Sequence, residues 1–123
     1  MVNYEQLLEN LMAYATGTEN YYRYNCGNEI LITDGVKIFA ENAEAFWFLN
    51  DFCIFMPKWI KKTEEEFFSI KLIVKNGKGD MIISDGNDKP LYKKHYSYTD
   101  CPDGEWLFFY DNYSKVLMWH NEY

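Results

Sequence analysis

The feature that most narrows the fold is a change of hydrophobic period at Thr63-Glu64-Glu65-Glu66. Before this run, apolar residues recur every three or four positions; after it, every two. From Phe67 to Lys75, Phe68, Ile70, Leu72 and Val74 share one face, and Phe67, Ser69, Lys71, Ile73 and Lys75 share the other. That alternation predicts a half-buried strand. Asn76-Gly77, the strongest short-range hairpin signal, leads into a second strand around Asp80–Ile83. Asp85-Gly86-Asn87-Asp88 makes another tight turn, and Pro90 to Tyr98 a third strand with Tyr92, Tyr96 and Tyr98 on one side. Trp106–Tyr110 and Val116–Trp119 supply two more, separated by Asp111-Asn112-Tyr113-Ser114.

Upstream, Asn3 and Gln6 read as an N-cap with its capping-box partner. Leu7, Leu8, Leu11, Met12 and Ala15 then predict an amphipathic helix over residues 4–14, with Gly17 suited to the left-handed position after it. Tyr21–Tyr24 and Glu29–Ile32 flank Cys26-Gly27-Asn28 as a short hairpin. Thr33 or Asp34 caps a helical region reaching about Met56, whose stripe is Val36, Phe39, Ala40, Ala43, Phe46, Trp47, Asn50 and Ile54. It reads as one bent helix or two joined near Asn42, ended by Pro57 and Lys58-Trp59-Ile60-Lys61-Lys62. Helices first and strands after predict an α+β fold, with N-terminal helices packed on one face of an antiparallel β-meander of about four to six strands. With 123 residues and no linker or repeat, the whole of 1–123 reads as a single domain. Trp106, Phe108 and Tyr110 point one way and Leu107 and Phe109 the other, so neither face of this strand is polar. A second cover is expected: a homodimer partner, another protein, or the N-terminal segment folded over the sheet.

Charge restricts the partners. Twelve basic residues against nineteen acidic give a net charge of −7. A chain that binds duplex nucleic acid brings a basic surface to the phosphates, so direct binding of DNA or RNA is not expected. An acidic surface favours basic proteins, including those that hold nucleic acid. Aromatic residues make up 20% of the chain, enough to supply both a core and interface anchors. The longest apolar stretch, Ala45 to Pro57, is interrupted by Asn50 and Asp51 and is too short to span a bilayer. With no signal-peptide pattern at the N-terminus, and with Cys26, Cys53 and Cys101 read as unpaired thiols of a reducing compartment, a cytoplasmic location is expected.

No complete active site is legible. His95 and His120 have no Cys or carboxylate at metal-ligand spacing, and a Cys–His pairing has nothing to select one combination. Glu41 and Glu44, bracketed by Asp34 and Asp51, offer carboxylates for acid–base or Mg²⁺ chemistry, but without a phosphate-binding loop they read as a solvated helix face. Asp85–Asp88 lacks the alternating ligands of an EF-hand, and Asn76-Gly77-Lys78-Gly79 is not a phosphate loop. No cofactor and no metal are expected.

Thr16-Gly17-Thr18-Glu19 with Tyr21-Tyr22, Thr33-Asp34-Gly35-Val36-Lys37, Ala40-Glu41-x-Ala43-x-Ala45-Phe46-Trp47, Tyr98-Thr99-Asp100 and Val116-Leu117-Met118 with Glu122-Tyr123 together resemble a family of small uncharacterised bacterial proteins of phages and other mobile elements. The chain departs from that pattern at Trp119-His120-Asn121 and at Lys58–Glu66, either of which is a place for a specialised contact. In size, charge and lack of motifs it is similar to anti-CRISPR proteins. The resemblance implies a non-enzymatic inhibitor that binds an RNA-guided nuclease, as protein or ribonucleoprotein, through an acidic, aromatic surface. Tyr21, Tyr22, Trp59, Glu64, Glu65 and Glu66 are the expected binding residues. Two alternatives stand beside it: a homo-oligomeric structural or small-molecule-binding module, and a metal-dependent hydrolase using Glu41, Glu44 and Asp51.

Overall fold

The computed structural model describes residues 3–13, 17–25, 29–60 and 66–122, with residues 59 and 60 described in their backbone alone. In chain order the elements are α1 (Tyr4–Met12), β1 (Tyr21–Asn25), β2 (Glu29–Thr33), α2 (Asp34–Asn42), α3 (Phe46–Ile60), β3 (Phe67–Lys75), β4 (Lys78–Asp85), β5 (Pro90–Tyr96), β6 (Gly104–Asp111) and β7 (Val116–Trp119), followed by one 3₁₀ turn at His120–Glu122. The fold is α+β, as the change of period implies. The strands form one seven-stranded sheet in the order β1-β2-β7-β6-β3-β4-β5.

Local chemistry fixes much of the pairing. Asn76 and Gly77 take φ of 54° and 75°. Two positive φ values in a two-residue loop match the right-handed twist of the flanking strands, which sets the β3–β4 register from Lys75↔Lys78 to Phe68↔Asp85. Asp85 closes the next turn, its Oδ1 accepting from the backbone N–H of Asn87 at 2.8 Å and of Lys89 at 2.9 Å. The arrangement is less simple than a meander. After β5 the chain returns to the far side of β3, where β6 pairs antiparallel from Phe67↔Asp111 to Val74↔Gly104. β7 then lies beside β6, and its other edge pairs parallel to β2 through Leu31↔Val116 and Ile32↔Leu117. That parallel pair recruits the N-terminal hairpin, which brings the strand count to seven.

All three helices pack on one face. Phe68, Ile70 and Leu72 of β3 and Phe108 of β6 are fully buried beneath Phe39 of α2 and Phe48, Leu49 and Phe52 of α3. The rings interlock: Phe39 and Phe48 lie 5.0 and 5.2 Å from Phe108, and Phe52 lies 5.1 Å from Tyr110. Each such pair adds roughly 0.5–1.5 kcal/mol beyond the area it buries. The α1 helix joins this face through Leu7, Leu11 and the ring of Tyr4, 4.9 Å from Trp106. It does not cross to the other face of the sheet. Trp119, where the chain departs from the resembled pattern, is core at 1% exposure.

The continuous apolar stripe expected across residues 36–54 does not form. The helix ends at Asn42, and Glu44 at φ 52° resets the phase before α3 begins. Phe46 and Ile54, which the stripe places inside, are exposed; Phe48, Leu49, Phe52, Cys53 and Met56 are buried instead. Pro57 lies within the last turn of α3 rather than ending it. A second correction concerns the thiols: Cys53 is disulfide-bonded, whereas Cys101 is a free, buried cysteine. Cys26 lies outside the described residues. Among the described residues, no helix is long and apolar enough to cross a membrane.

A carboxylate network closes the fold where α2 begins. Thr33 is the N-cap, its hydroxyl oxygen accepting from Val36 N at 3.3 Å. The same hydroxyl donates to Glu122 Oε1 at 2.6 Å; Glu122 also accepts from Trp119 N at 2.9 Å and, through Oε2, from Gly35 N at 3.0 Å. A carboxylate here satisfies helix-end donors and meets the positive end of the helix dipole. Only glycine admits it, because a Cβ on residue 35 would stand 2.5 Å from Glu122 Oε1. One residue back, the buried Asp34 accepts from Glu19 N at 2.9 Å, Asn20 N at 3.1 Å and the Tyr22 hydroxyl at 2.8 Å, while its own N–H donates to Thr18 Oγ1 at 2.9 Å.

Two outcomes test this network. Glu122→Ala leaves three donors without their acceptor and is expected to cost about 2 kcal/mol in denaturant unfolding, with a similar loss for Gly35→Ala. Because both remove one interaction, the double variant should lose clearly less than the sum of the two; strict additivity would show that Glu122 does not act through Gly35. Burial alone would raise the Asp34 pKa, but the hydrogen bonds from Tyr22, Glu19, Asn20 and Thr18 together hold it below the ordinary carboxylate value. A lowered folded-state pKa contributes stability above the unfolded-state value, which is lost as pH falls through the folded-state one. Asp34→Asn should therefore lower stability at neutral pH and flatten the acid limb of a plot of unfolding free energy against pH.

Candidate functional site

The helix break that displaces the apolar stripe also opens a cleft. Glu44 stands in the α2–α3 turn, Trp47 in the first turn of α3, and Tyr96 at the end of β5, followed by Tyr98, Thr99 and Asp100. These six residues line a cleft of about 260 Å³. Its walls are three aromatic rings, with Trp47 and Tyr96 4.5 Å apart at 57°, and its rim carries two carboxylates. Tyr98 is 74% exposed, the second most open of the large apolar side chains described, after Tyr113 on the β6–β7 turn.

The rings are held at their tips. The Tyr96 hydroxyl donates to Asp51 Oδ2 at 2.6 Å, and Lys94 Nζ meets the same oxygen at 3.1 Å. Burial first, then the hydrogen bond and charge of Asp51, push the Tyr96 phenol far above its ordinary pKa, so it remains a neutral donor. The Tyr98 hydroxyl donates to Asp100 Oδ1 at 2.6 Å. Thr99 between them is buried, its N–H donating to Gly77 O at 2.7 Å and its hydroxyl oxygen accepting from Cys101 N at 3.1 Å. The segment that carries Tyr98 and Asp100 is thereby tied to the Asn76-Gly77 turn. Opposite it, Glu44 holds a left-handed conformation that is costly for a residue with a Cβ, and it does so on the rim of the cleft.

The residues expected from sequence lie elsewhere. Tyr21 is 58% exposed on edge strand β1. Tyr22 faces the helices, with its hydroxyl on Asp34 and Lys37 Nζ 4.2 Å above its ring. Glu66 is exposed ahead of β3, its carbonyl accepting from Asn112 N at 2.7 Å. In the sheet β1 and β3 are separated by β2, β7 and β6, so Tyr21 and Glu66 do not share one surface. The side chain of Trp59, and Glu64 and Glu65, lie outside the described residues. Of the carboxylates weighed for metal chemistry, Asp51 is engaged by Tyr96 and Lys94 while Glu44 stands on the rim. Among the described residues, no group of three or more His, Cys, Asp or Glu side chains is placed to hold a metal ion. The Cys101 thiol is pushed up to about 12 by burial, and Asp103 adds to the rise against a lowering contact from Trp106.

A second surface lies on the sheet face opposite the helices. Phe67, Ile73, Ile82, Leu107, Phe109 and Met118 are half-buried there, on the side away from the described helices. The rings of Phe67 and Phe109 are 5.2 Å apart. Ser69, Lys71 and Ser84 interrupt the apolar area in a shallow depression of about 640 Å³.

A family model described as a family of unknown function, DUF6876, matches residues 6–123, and the chain belongs to that family. No curated protein and no solved structure matches it.

The electrostatics of the cleft have a direct readout. Tyr98 ionises above the ordinary phenol value, first because its hydroxyl is bonded to Asp100 and then because Asp100 and, more weakly, Glu44 repel a phenolate. In the ultraviolet titration of the protein minus that of Tyr98→Phe, the Tyr98 step should fall late, and Asp100→Asn should move it to lower pH. An unmoved step would show that Asp100 does not govern the ring.

Proposed function

We propose that this family member is a non-enzymatic binding protein, an anti-CRISPR-type inhibitor carried by phages or mobile elements. It docks on an RNA-guided nuclease, as protein or ribonucleoprotein, through an acidic, aromatic surface. The observation that carries the reading is the cleft of Glu44, Trp47, Tyr96, Tyr98 and Asp100, where aromatic area and negative charge meet at the surface of a chain of net charge −7. Aromatic anchors with a polar tip dominate interface energetics, and acidic groups steer association with the basic channel of a nuclease. Direct contact with nucleic acid is not part of the reading, since the same charge repels phosphate. The partner class places the site of action in the cytoplasm.

One specific observation favours a second reading, a homo-oligomeric module: the half-buried apolar residues Ile73, Ile82, Leu107 and Met118 on the sheet face opposite the described helices. Association through that face would conceal Ile82, Leu107 and Met118 and leave the cleft open.

A tagged pull-down from bacterial cells expressing defence effectors separates the two. Stoichiometric recovery of an RNA-guided nuclease is expected, with affinity that falls as salt rises. Tyr98→Ala combined with Asp100→Asn should weaken that affinity at least tenfold, about 1.4 kcal/mol. Recovery of the chain alone, together with a dimer in light scattering, would overturn the inhibitor reading in favour of the oligomer.

A further inference from the structure

We infer that the cleft between the α2–α3 turn and the end of β5 receives a single guanidinium group, the side chain of an arginine on the partner; this rests on the binding role proposed above and names the group recognised. Size is the first argument. At about 260 Å³ the cleft is below the range that encloses a drug-sized ligand and suits one long side chain or a small organic cation.

Charge is the second argument. Among the described lining residues, Glu44 and Asp100 are the ionisable ones apart from the two tyrosines, and none of the six is basic. The neighbouring ammonium of Lys94 is paired with Asp51, so it does not neutralise the rim. A cation entering here meets uncompensated negative charge together with the faces of electron-rich rings, and both attract it.

The third argument selects among cations. A quaternary ammonium uses ring faces and has no N–H to give, so it would leave the rim carboxylates without a hydrogen bond. An ammonium of lysine donates, but it is compact and strongly hydrated, and stacks poorly. A guanidinium is flat, weakly hydrated, and carries five N–H donors in a rigid fork. It can lie against Trp47 or Tyr98 while its edge donates to carboxylate oxygens. On Asp100, Oδ1 already accepts from Tyr98, which fixes the carboxylate and leaves lone pairs on both oxygens. The rings are preorganised too, with Tyr96 and Tyr98 each tethered through its hydroxyl, so little ordering is needed on binding.

The test uses the full chain and small probes, with no partner present. N-acetyl-arginine amide, N-acetyl-lysine amide and the neutral N-acetyl-citrulline amide are titrated while the indole N–H resonance of Trp47 is followed, assigned with Trp47→Phe. The arginine probe is expected to give a saturable shift, the lysine probe binding several-fold weaker, and the citrulline probe none at the same concentrations. Asp100→Asn and Glu44→Gln should each weaken the arginine probe at least three-fold. Glu44→Gly guards against a folding artefact: it relieves the left-handed backbone, so its thermal midpoint should not fall while its arginine affinity does. Citrulline or lysine binding as tightly as arginine, or arginine binding indifferent to both carboxylate changes, would overturn the assignment. A chain that captures a nuclease yet ignores the arginine probe overturns this inference alone; one that binds the probe yet captures no partner retains the cleft and loses the inhibitor role.

Discussion

The rest of the structure hangs on the carboxylate of Glu122 at the amino end of α2. Thr33 and Glu122 are 89 positions apart in the chain, and their hydrogen bond joins the last turn to the first core helix. It also holds together the least local part of the sheet, since β7 precedes Glu122 and β2 ends at Thr33. Parallel pairing of β2 with β7 rests on two residue pairs, Leu31↔Val116 and Ile32↔Leu117. So short a ladder is weak support for joining the N-terminal hairpin to a sheet whose other strands pair in long antiparallel registers. A part-buried, charge-assisted contact immediately beside it supplies what the ladder lacks. The loop it closes spans 89 positions of a 123-residue chain, so closing it carries a large entropic cost that the rest of the fold must offset.

Asp34 extends the same network in the other direction. By accepting from Glu19, Asn20 and Tyr22, it ties the approach to β1 and the first turn of that strand to α2. Two carboxylates therefore sit at one helix start, each satisfied by donors from a different stretch of chain. The helix dipole and the backbone N–H groups favour both. The aromatic core beneath them is a separate device: Phe39, Phe48, Phe52, Phe108 and Tyr110 fill the space between helices and sheet by ring contacts that need no charge.

What the sequence discloses follows the range of the interaction. The period-two run of Phe67–Lys75 and the Asn76-Gly77 turn are local, and β3 and its hairpin appear where they are read. The class α+β follows from them. The return of the chain past β3 and the parallel β2–β7 pair depend on contacts between distant segments, and no periodicity records them. Helix phase across residues 42–46 was illegible for another reason: a left-handed Glu44 leaves no compositional mark, unlike a glycine or asparagine in that place. Tyr22 shows the limit of reading aromatics as contacts, since its hydroxyl serves Asp34 inside the fold. The cleft residues Trp47, Tyr98 and Asp100 do stand in the motifs that carried the family resemblance. The sequence separates them by half the chain and gives no hint that they meet.

The cleft and the network divide the chain's carboxylates by environment. Asp34 and Asp51 are engaged by several donors each, and their charge is answered within the fold. Glu44 and Asp100 sit on a rim where, among the described residues, the one hydrogen-bond donor to them is the neutral Tyr98 hydroxyl. Negative charge with no paired cation among the described residues, beside the largely exposed ring of Tyr98, costs stability through mutual repulsion and exposed apolar area. The left-handed backbone at Glu44 adds to that cost. Such a concentration of unfavourable features is tolerable because the scaffold around it is over-determined by the buried Thr99, the tethered Tyr96 and the Asn76-Gly77 turn. An arriving cation would relieve the repulsion and cover the rings in a single step, so the features that weaken the free chain are the ones that would strengthen its complex.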